Sequence, residues 1–281
     1  MTGAAAKDAL LVSVGIPTYN RPHGALRTLR AITGQSYGNL EIIVSDNASP
    51  DRRTEHALEE LVSQDRRVRF FRQTRNLGMF GNFQFVLEQA TGRYFMWAAD
   101  DDEWDARFVE RCVAGFDHPD VVSVMSRFRT LYRASGRSEE QPFPHLDPAR
   151  SKAYNLLAFL HQLMPSLLYG VHRRECLEFF RTETRWFDFY DCYLSLRLLT
   201  IGKIRILPDV LYTAGVDDAD YVLKPLANNR WFKLTYLPLL RAASESIAAS
   251  DLSRFEKLVA IGSLGLTVAR LFFYHEIRNR R

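Results

Sequence analysis

The chain has little of what marks several large classes of protein. Its 281 residues include three cysteines, Cys112, Cys176 and Cys192, which stand far apart and form no C-x-x-C pair. That spacing excludes a zinc ribbon and a disulfide framework, and it leaves reduced, mostly buried thiols as the expectation. No uninterrupted run of about twenty apolar residues occurs, so no segment reads as a membrane-spanning helix. The apolar stretch 9–12 has no basic region before it and no cleavage site after it, so it does not read as a secretory signal. A cytoplasmic setting is therefore expected. No long Lys/Arg run precedes the terminus, and 37 basic against 33 acidic residues leave a net charge of only +4. That excess is too small for a nucleic-acid partner, but it suits phosphate-bearing ligands or an anionic surface. No internal repeat and no low-complexity tract is present.

What is there is an ordinary globular mixture, 47% hydrophobic and 25% charged, long enough to bury a sizeable core without staples. The first half alternates short apolar strands with helical stretches of about ten residues. Strands are predicted over 11–16, 40–44, 68–71 and 94–99, with a helical pattern through Leu26, Leu29, Arg30 and Ile32-Thr33 and helices over 54–62, 79–90 and 108–116 between and after them. This alternation predicts an α/β fold with a mostly parallel sheet covered on both faces. The second half is less regular. Strands are expected over 121–126, 128–132, 167–171 and 203–207, helices over 154–163 and 190–199, and loops over 134–150 and 214–225. From Ala227 onward the pattern is helical. Division into a domain of residues 1–225 and a helical extension of 226–281 follows.

In open α/β sheets, ligands bind beyond the carboxyl ends of the strands. Three polar clusters fall at such ends here: Pro17-Thr18-Tyr19, Asp46-Asn47 and Asp100-Asp101-Asp102. Carboxylates are hard oxygen ligands, and Mg²⁺ or Mn²⁺ is commonly held by one or two of them together with substrate phosphates. Three adjacent carboxylates behind an apolar strand are costly unless a cation neutralises them. The plain alternative is a solvated turn that caps the next helix. An EF-hand is excluded, because its central Gly and closing Glu are missing.

The order PTYNRP, IIVSDNASPD, RNLGMFGN and YFMWAADDDEW resembles the family 2 glycosyltransferases with a GT-A (Rossmann-like) fold, over about residues 11 to 215. The resemblance implies a nucleoside-diphosphate-sugar donor and a Mn²⁺ or Mg²⁺ cofactor. It implies that Pro17, Thr18 and Tyr19 cradle base and ribose, and that Asp46 accepts from the base ring N–H. Arg75 and Asn76 then stand near the base and phosphates, and Asp100 near the ribose. The register of the acidic Asp-x-Asp motif is open. Asp100 with Asp102 fits the spacing directly, whereas alignment on Trp104 makes Asp101 the ligand and puts Ala99 where the first acid belongs. Asp101 and Asp102 are the metal candidates. The family's Glu-Asp-x-x-Leu pattern is matched by Tyr190-Asp191-Cys192-Tyr193-Leu194, which makes Asp191 the candidate catalytic base although Tyr190 departs from the Glu; Asp188 is a second candidate. Where the family often has a further metal-ligating His, this chain has Gly215-Val216-Asp217-Asp218, and either aspartate could close over the donor.

Inversion needs such a base, because the acceptor hydroxyl must lose its proton as it meets an oxocarbenium-like carbon. Aromatic side chains such as Tyr169, Trp186 and Tyr212 are candidates for an acceptor cleft, though core packing accounts for more of them. His172 matches no motif and reads as a structural histidine. The stretch 258–274 is apolar but interrupted, and the chain ends in basic residues. It could lie on an anionic inner leaflet as a peripheral contact, pack in the core, or pair with a second copy of the chain as a homodimer. The resulting expectation is an inverting, metal-dependent hexosyl- or deoxyhexosyltransferase acting on a sugar, lipid-linked or other hydroxyl acceptor in polysaccharide, lipopolysaccharide or glycoconjugate biosynthesis. The rival nucleotidyltransferase would need a Gly-rich basic loop after the first strand, which residues 18–22 do not supply. A non-catalytic nucleotide-sugar-binding protein would keep the fold and dispense with the base.

Overall fold

The structure, a computed structural model, describes residues 10–184, 187, 189–216 and 232–278. The first half runs β1 (Val12–Thr18), α1 (Pro22–Thr33), β2 (Leu40–Asp46), α2 (Arg53–Gln64), β3 (Val68–Arg72), α3 (Gly78–Glu88), β4 (Tyr94–Trp97), β5 (Glu103–Trp104) and α4 (Phe108–Ala114). The second half runs β6 (Val121–Tyr132), β7 (Arg137–Glu140), α5 (Lys152–His161), β8 (Val171–Arg173), α6 (Glu178–Arg181), α7 (Tyr190–Ile201), β9 (Lys203–Val216), α8 (Phe232–Ala249) and α9 (Arg254–Arg278).

One sheet takes the order β3-β2-β1-β4-β8-β6-β9-β5, and β7 pairs with β6 off that path. Every residue of β1 is buried, as expected of a strand covered on both faces. β1, β2, β3 and β4 are mutually parallel, with Val12 opposite both Leu40 and Tyr94. Beyond them the sheet is mixed, because β8 runs antiparallel to β4 and β6 while β9 is parallel to β6. The parallel character read from the sequence thus belongs to the first half.

Where two strands are expected over 121–132 there is one, β6, with irregular pairing around Arg127. Residues before that point are buried on both faces. After it, exposed Arg127 and Arg129 alternate with buried Phe128 and Thr130, so the same strand leaves the centre of the core at its bulge. The strand expected over 167–171 is confined to Val171–Arg173, because Pro165 opens a 3₁₀ turn through Tyr169. The expected loop over 134–150 contains a hairpin turned at Gly136, whose φ of 68° is left-handed. Its strand β7 is wholly exposed and carries Arg137, Glu139 and Glu140, as suits a strand at a sheet edge.

α8 and α9 pack on each other and on α7 and α5, and they contribute Tyr236, Leu239, Ala243, Ile247, Ala260 and Leu264 to the same contiguous core. Phe255, Leu258 and Leu266 on α9 remain exposed. No helix among the described residues is long and apolar enough to cross a membrane.

His172 is fully buried on β8, with its ring 6.0 Å from that of Trp97. Its Nε2–H donates to the Leu168 carbonyl at 2.9 Å, while Nδ1 meets no partner among the described residues. Burial therefore holds it neutral, at a pKa of about 4. The folded state binds its proton less readily than the unfolded chain does. The stability this contributes is complete above about pH 6.5 and is lost as pH falls toward 4. The loss amounts to about 3 kcal/mol. Urea unfolding at pH 7.5 and pH 4.5 should show His172→Gln losing less stability between the two than the unsubstituted chain; parallel losses would refute this account.

Candidate active site

The carboxyl ends of β1 and β4 open into a cleft of about 280 Å³. Pro17, Thr18 and Tyr19 form one side, Asn47, Asn76 and Met79 another, and Asp100, Asp101 and Tyr169 a third. Helix α3 walls it through Asn82 and Phe83. α3 is fixed in place because buried Asn82 donates to the Ser45 carbonyl at 3.0 Å and accepts from the Ser45 hydroxyl at 2.6 Å. Asn47 holds the segment before α3: it accepts from the Leu77 N–H at 2.8 Å and donates to the Asn76 side chain and the Gly78 carbonyl.

The three acidic side chains diverge. Asp100 faces β1, where its Oδ2 accepts from the buried Thr18 hydroxyl at 2.7 Å. One nitrogen of Arg21, Nη1, lies 3.2 Å from Asp100 Oδ1 and 2.7 Å from Asp101 Oδ2. Asp101 is the most exposed of the three and lines the cleft. Asp102 turns the other way and is buried, accepting from the Tyr212 hydroxyl and, at 3.0 Å, from the Gly215 N–H. Burial pushes its carboxyl up to about 7, with the neighbouring Asp101 charge adding to the shift. Burial likewise holds Asp100 above the ordinary carboxylate range, although Thr18 and Arg21 pull it back.

The backbone of this turn is pinned as firmly as its side chains. The Thr28 hydroxyl donates to the Ala99 carbonyl at 3.0 Å, and Arg133 donates to the Asp101 carbonyl at 2.6 Å. Two glycines permit the approach. A Cβ at Gly24 on α1 would stand 2.1 Å from the Asp100 carbonyl oxygen, and one at Gly215 would stand 2.1 Å from that of Asp101. Composition and periodicity carry no signal for Gly24, Thr28 or Arg133, because these act on backbone that is distant in sequence.

Asp46 is fully buried at the end of β2, away from the cleft lining. Its Oδ1 accepts from the Ser49 hydroxyl and N–H, and its Oδ2 accepts from Arg72 at 2.7 Å. Arg75 is exposed and does not line the cleft. Asp191 stands at the start of α7, where its Oδ1 accepts from the Cys192 N–H at 2.7 Å. The surrounding protein raises its carboxyl above the ordinary range by burial. Asp191 does not line the cleft itself, but its helix adjoins both walls. α7 packs on the 3₁₀ turn that carries Tyr169, and the Tyr190 ring packs at a tilt against Phe80 of α3, 5.0 Å between centroids. Asp188, Trp186, Asp217, Asp218 and the terminal arginines 280 and 281 lie outside the described residues.

Among the described residues no group of three His, Cys, Asp or Glu converges as a metal site. The reason is visible in the turn: Asp102 faces Tyr212, which leaves two carboxylates toward the cleft. Two hard oxygen donors fit a Mg²⁺ or Mn²⁺ that takes its remaining ligands from phosphate and water.

Comparison with known proteins follows the same outline. The model of the family described as glycosyl transferase family 2 matches residues 13–170. The GalNAc(5)-diNAcBac-PP-undecaprenol beta-1,3-glucosyltransferase of Campylobacter jejuni is 37% identical over 93 residues, which are 33% of this chain and 30% of that one. The chain spans about a third of the length of the curated relatives it matches first. Among solved structures, S. aureus TarS 1–349 in complex with UDP-GlcNAc superposes with a TM-score of 0.70 at 17% identity, covering 91% of this chain and 71% of TarS 1–349. The mannosyltransferase PcManGT from Pyrobaculum calidifontis, in complex with GDP-Man and Mn²⁺, gives 0.60 at 19% identity, covering 94% of this chain and 76% of the other. At such identities the likeness is one of fold.

The close approach at Gly24 is testable. Gly24→Ala forces a methyl group against backbone that cannot yield, so it should cost roughly 1–3 kcal/mol in chemical denaturation. Gly38→Ala, with nothing within 4 Å, should stay within about 0.5 kcal/mol. Equal effects at the two positions would mean that α1 does not bear on the acidic turn.

Proposed function

The chain belongs to the family 2 glycosyltransferases, and from that membership we propose that it moves a sugar from a nucleoside-diphosphate sugar to an acceptor hydroxyl, with inversion and with a divalent cation. The observation that carries this reading is the meeting of Thr18, Asn76, Asp100 and Asp101 in one cleft at the carboxyl ends of β1 and β4. We assign Pro17, Thr18 and Tyr19 to the base and ribose, Arg75 and Asn76 to the base and phosphates, and Asp100 to the ribose. Asp46 is assigned to the base edge, with the Ser49 hydroxyl as the group that must give way. Asp101 is the principal metal ligand. Asp102 shares that task once Tyr212 releases it; until then it holds the turn in shape.

A Mn²⁺ or Mg²⁺ bound here supplies positive charge against the departing diphosphate. In the transfer itself the acceptor oxygen attacks the anomeric carbon and the bond from that carbon to the diphosphate oxygen breaks. The hydroxyl proton passes to Asp191, and the nucleoside diphosphate leaves. A carboxylate raised by burial is a stronger base, which favours Asp191 for this step. The relatives named for undecaprenol-diphosphate acceptors support a setting in glycoconjugate or polysaccharide assembly with a lipid-linked acceptor. The exposed apolar residues Phe255, Leu258 and Leu266 on α9 support peripheral contact with the inner leaflet of the cell membrane. A second copy of the chain could cover the same face.

Thermal unfolding in the presence of UDP-, GDP- and dTDP-sugars with Mn²⁺ tests the donor assignment. One nucleotide class should raise the melting temperature, and EDTA or Asp101→Asn should abolish the rise. A rise that survives EDTA counts against the acidic turn as the metal site. Asp191→Asn should reduce transfer about 100-fold or more while donor binding stays within about two-fold. Full transfer activity in that variant would remove Asp191 from the role of base.

A further inference from the structure

Two arginines reach the acidic turn, and they treat it differently. Arg133 binds the Asp101 carbonyl and Glu103. Arg21 binds carboxylates, with the single nitrogen Nη1 placed 2.7 Å from Asp101 and 3.2 Å from Asp100. One positive charge between the two carboxylates lies against Asp101, the one a divalent cation would need. The position costs Arg21 something locally. It is the N-cap of α1 and makes no capping bond, and the positive end of a helix dipole disfavours a cation there. Its placement is owed to the acids.

The root of this side chain is fixed while its tip is half exposed. Asn20, just before it, holds a left-handed φ of 54°, and its N–H donates to the Ser49 hydroxyl at 2.8 Å. The Arg21 side chain beyond that anchor is 43% exposed and lines the same cleft. A long flexible stem on a fixed base can change partners without moving the backbone.

Resting on the reading of Asp100 and Asp101 as the donor and metal carboxylates, we propose that Arg21 is an internal counter-ion. It holds Asp100 and Asp101 until a divalent cation takes Asp101 and the donor's ribose takes Asp100, and then turns to the diphosphate of the donor. Without any cation, adjacent carboxylates in a partly buried turn repel one another, and Arg21 relieves that repulsion. A guanidinium and a dication cannot share one point, so arrival of the ion displaces the arginine. The anion left within its reach is the diphosphate, whose oxygens match the forked guanidinium. Arg21 would thus order the events, with its charge moving from protein to donor as the metal enters.

The proposal requires two changes of opposite sign in one variant. Titration calorimetry with Mn²⁺ alone should show Arg21→Gln binding the ion about five-fold more tightly, the scale of a partly exposed ion pair removed as competitor. With Mn²⁺ saturating, the same variant should bind the most stabilising of UDP, GDP and dTDP about ten-fold more weakly. Arg21→Met, which keeps the stem and drops the charge, must reproduce both changes, and Arg21→Lys should stay within about two-fold for Mn²⁺ because it keeps the charge. Unchanged or weaker Mn²⁺ binding in Arg21→Gln and Arg21→Met overturns the proposal, as does unchanged diphosphate binding. Asp101→Asn separates the two ideas. If it loses Mn²⁺ while Arg21→Gln gains none, the metal site stands and the counter-ion falls. If it binds Mn²⁺ with the diphosphate as tightly as the unsubstituted chain, both fall.

Discussion

Repulsion among three consecutive carboxylates is the constraint around which the cleft is built. The fold relieves it by sending each side chain to a different element. Asp100 goes to Thr18 on β1, Asp102 goes to Tyr212 and Gly215 on β9, and Asp101 is left at the opening with Arg21. Each destination is a long-range contact, so the turn exists only when β1, β4 and β9 are already in place. The carbonyls follow the same plan, with Thr28 and Arg133 as donors and Gly24 and Gly215 giving room. A strand end carrying three negative charges thereby becomes a fixed ledge with two carboxylates facing a cavity.

Much of this was legible in the sequence. Alternating apolar and helical runs gave the elements of the first half, because strands covered on both faces read as continuous hydrophobic stretches. Three polar clusters at strand ends pointed to a common site, and the structure brings Thr18, Asn47, Asp100 and Asp101 to one cleft. The family resemblance puts Asp100 near the ribose and Asp101 and Asp102 on the metal, but adjacency says nothing about direction. What separates Asp102 from Asp101 is Tyr212, 110 positions away. The same limit hid Arg21, whose meaning depends on residues 79 and 80 positions later. In the second half, Pro165 replaced an expected strand with a 3₁₀ turn, and the bulge in β6 passed for a break between two strands. Both are places where a local backbone choice overrides a hydrophobic run.

The two halves of the cleft are built from different materials. The β1 side rests on parallel strands in register and on amide side chains, Asn47 and Asn82, that tie loop to helix. Such bonds set distances closely. The opposite side rests on rings. Phe80 of α3 meets Phe180 and Tyr190, Tyr190 meets Phe187 and Tyr193, and Tyr169 meets Tyr212. These ring contacts run without a break from α3 to the start of α7.

That difference explains why α7 begins as it does. Phe189 sits at a left-handed φ of 65°, a conformation costly for an aromatic residue, and its ring stacks on Tyr236 of α8 at 5.1 Å. Tyr190 then turns into the aromatic cluster beside Phe80, and Asp191, one residue on, stands in the first turn of the helix. The φ at 189 sets the direction in which α7 starts, and so places Tyr190 and Asp191 together, since the helix fixes their directions relative to each other. The left-handed turn at Phe189 thus sets the course of α7 between two kinds of contact: hydrogen-bonded strands and amides on the β1 side of the cleft, and aromatic packing from α8 to α3 around the start of the helix.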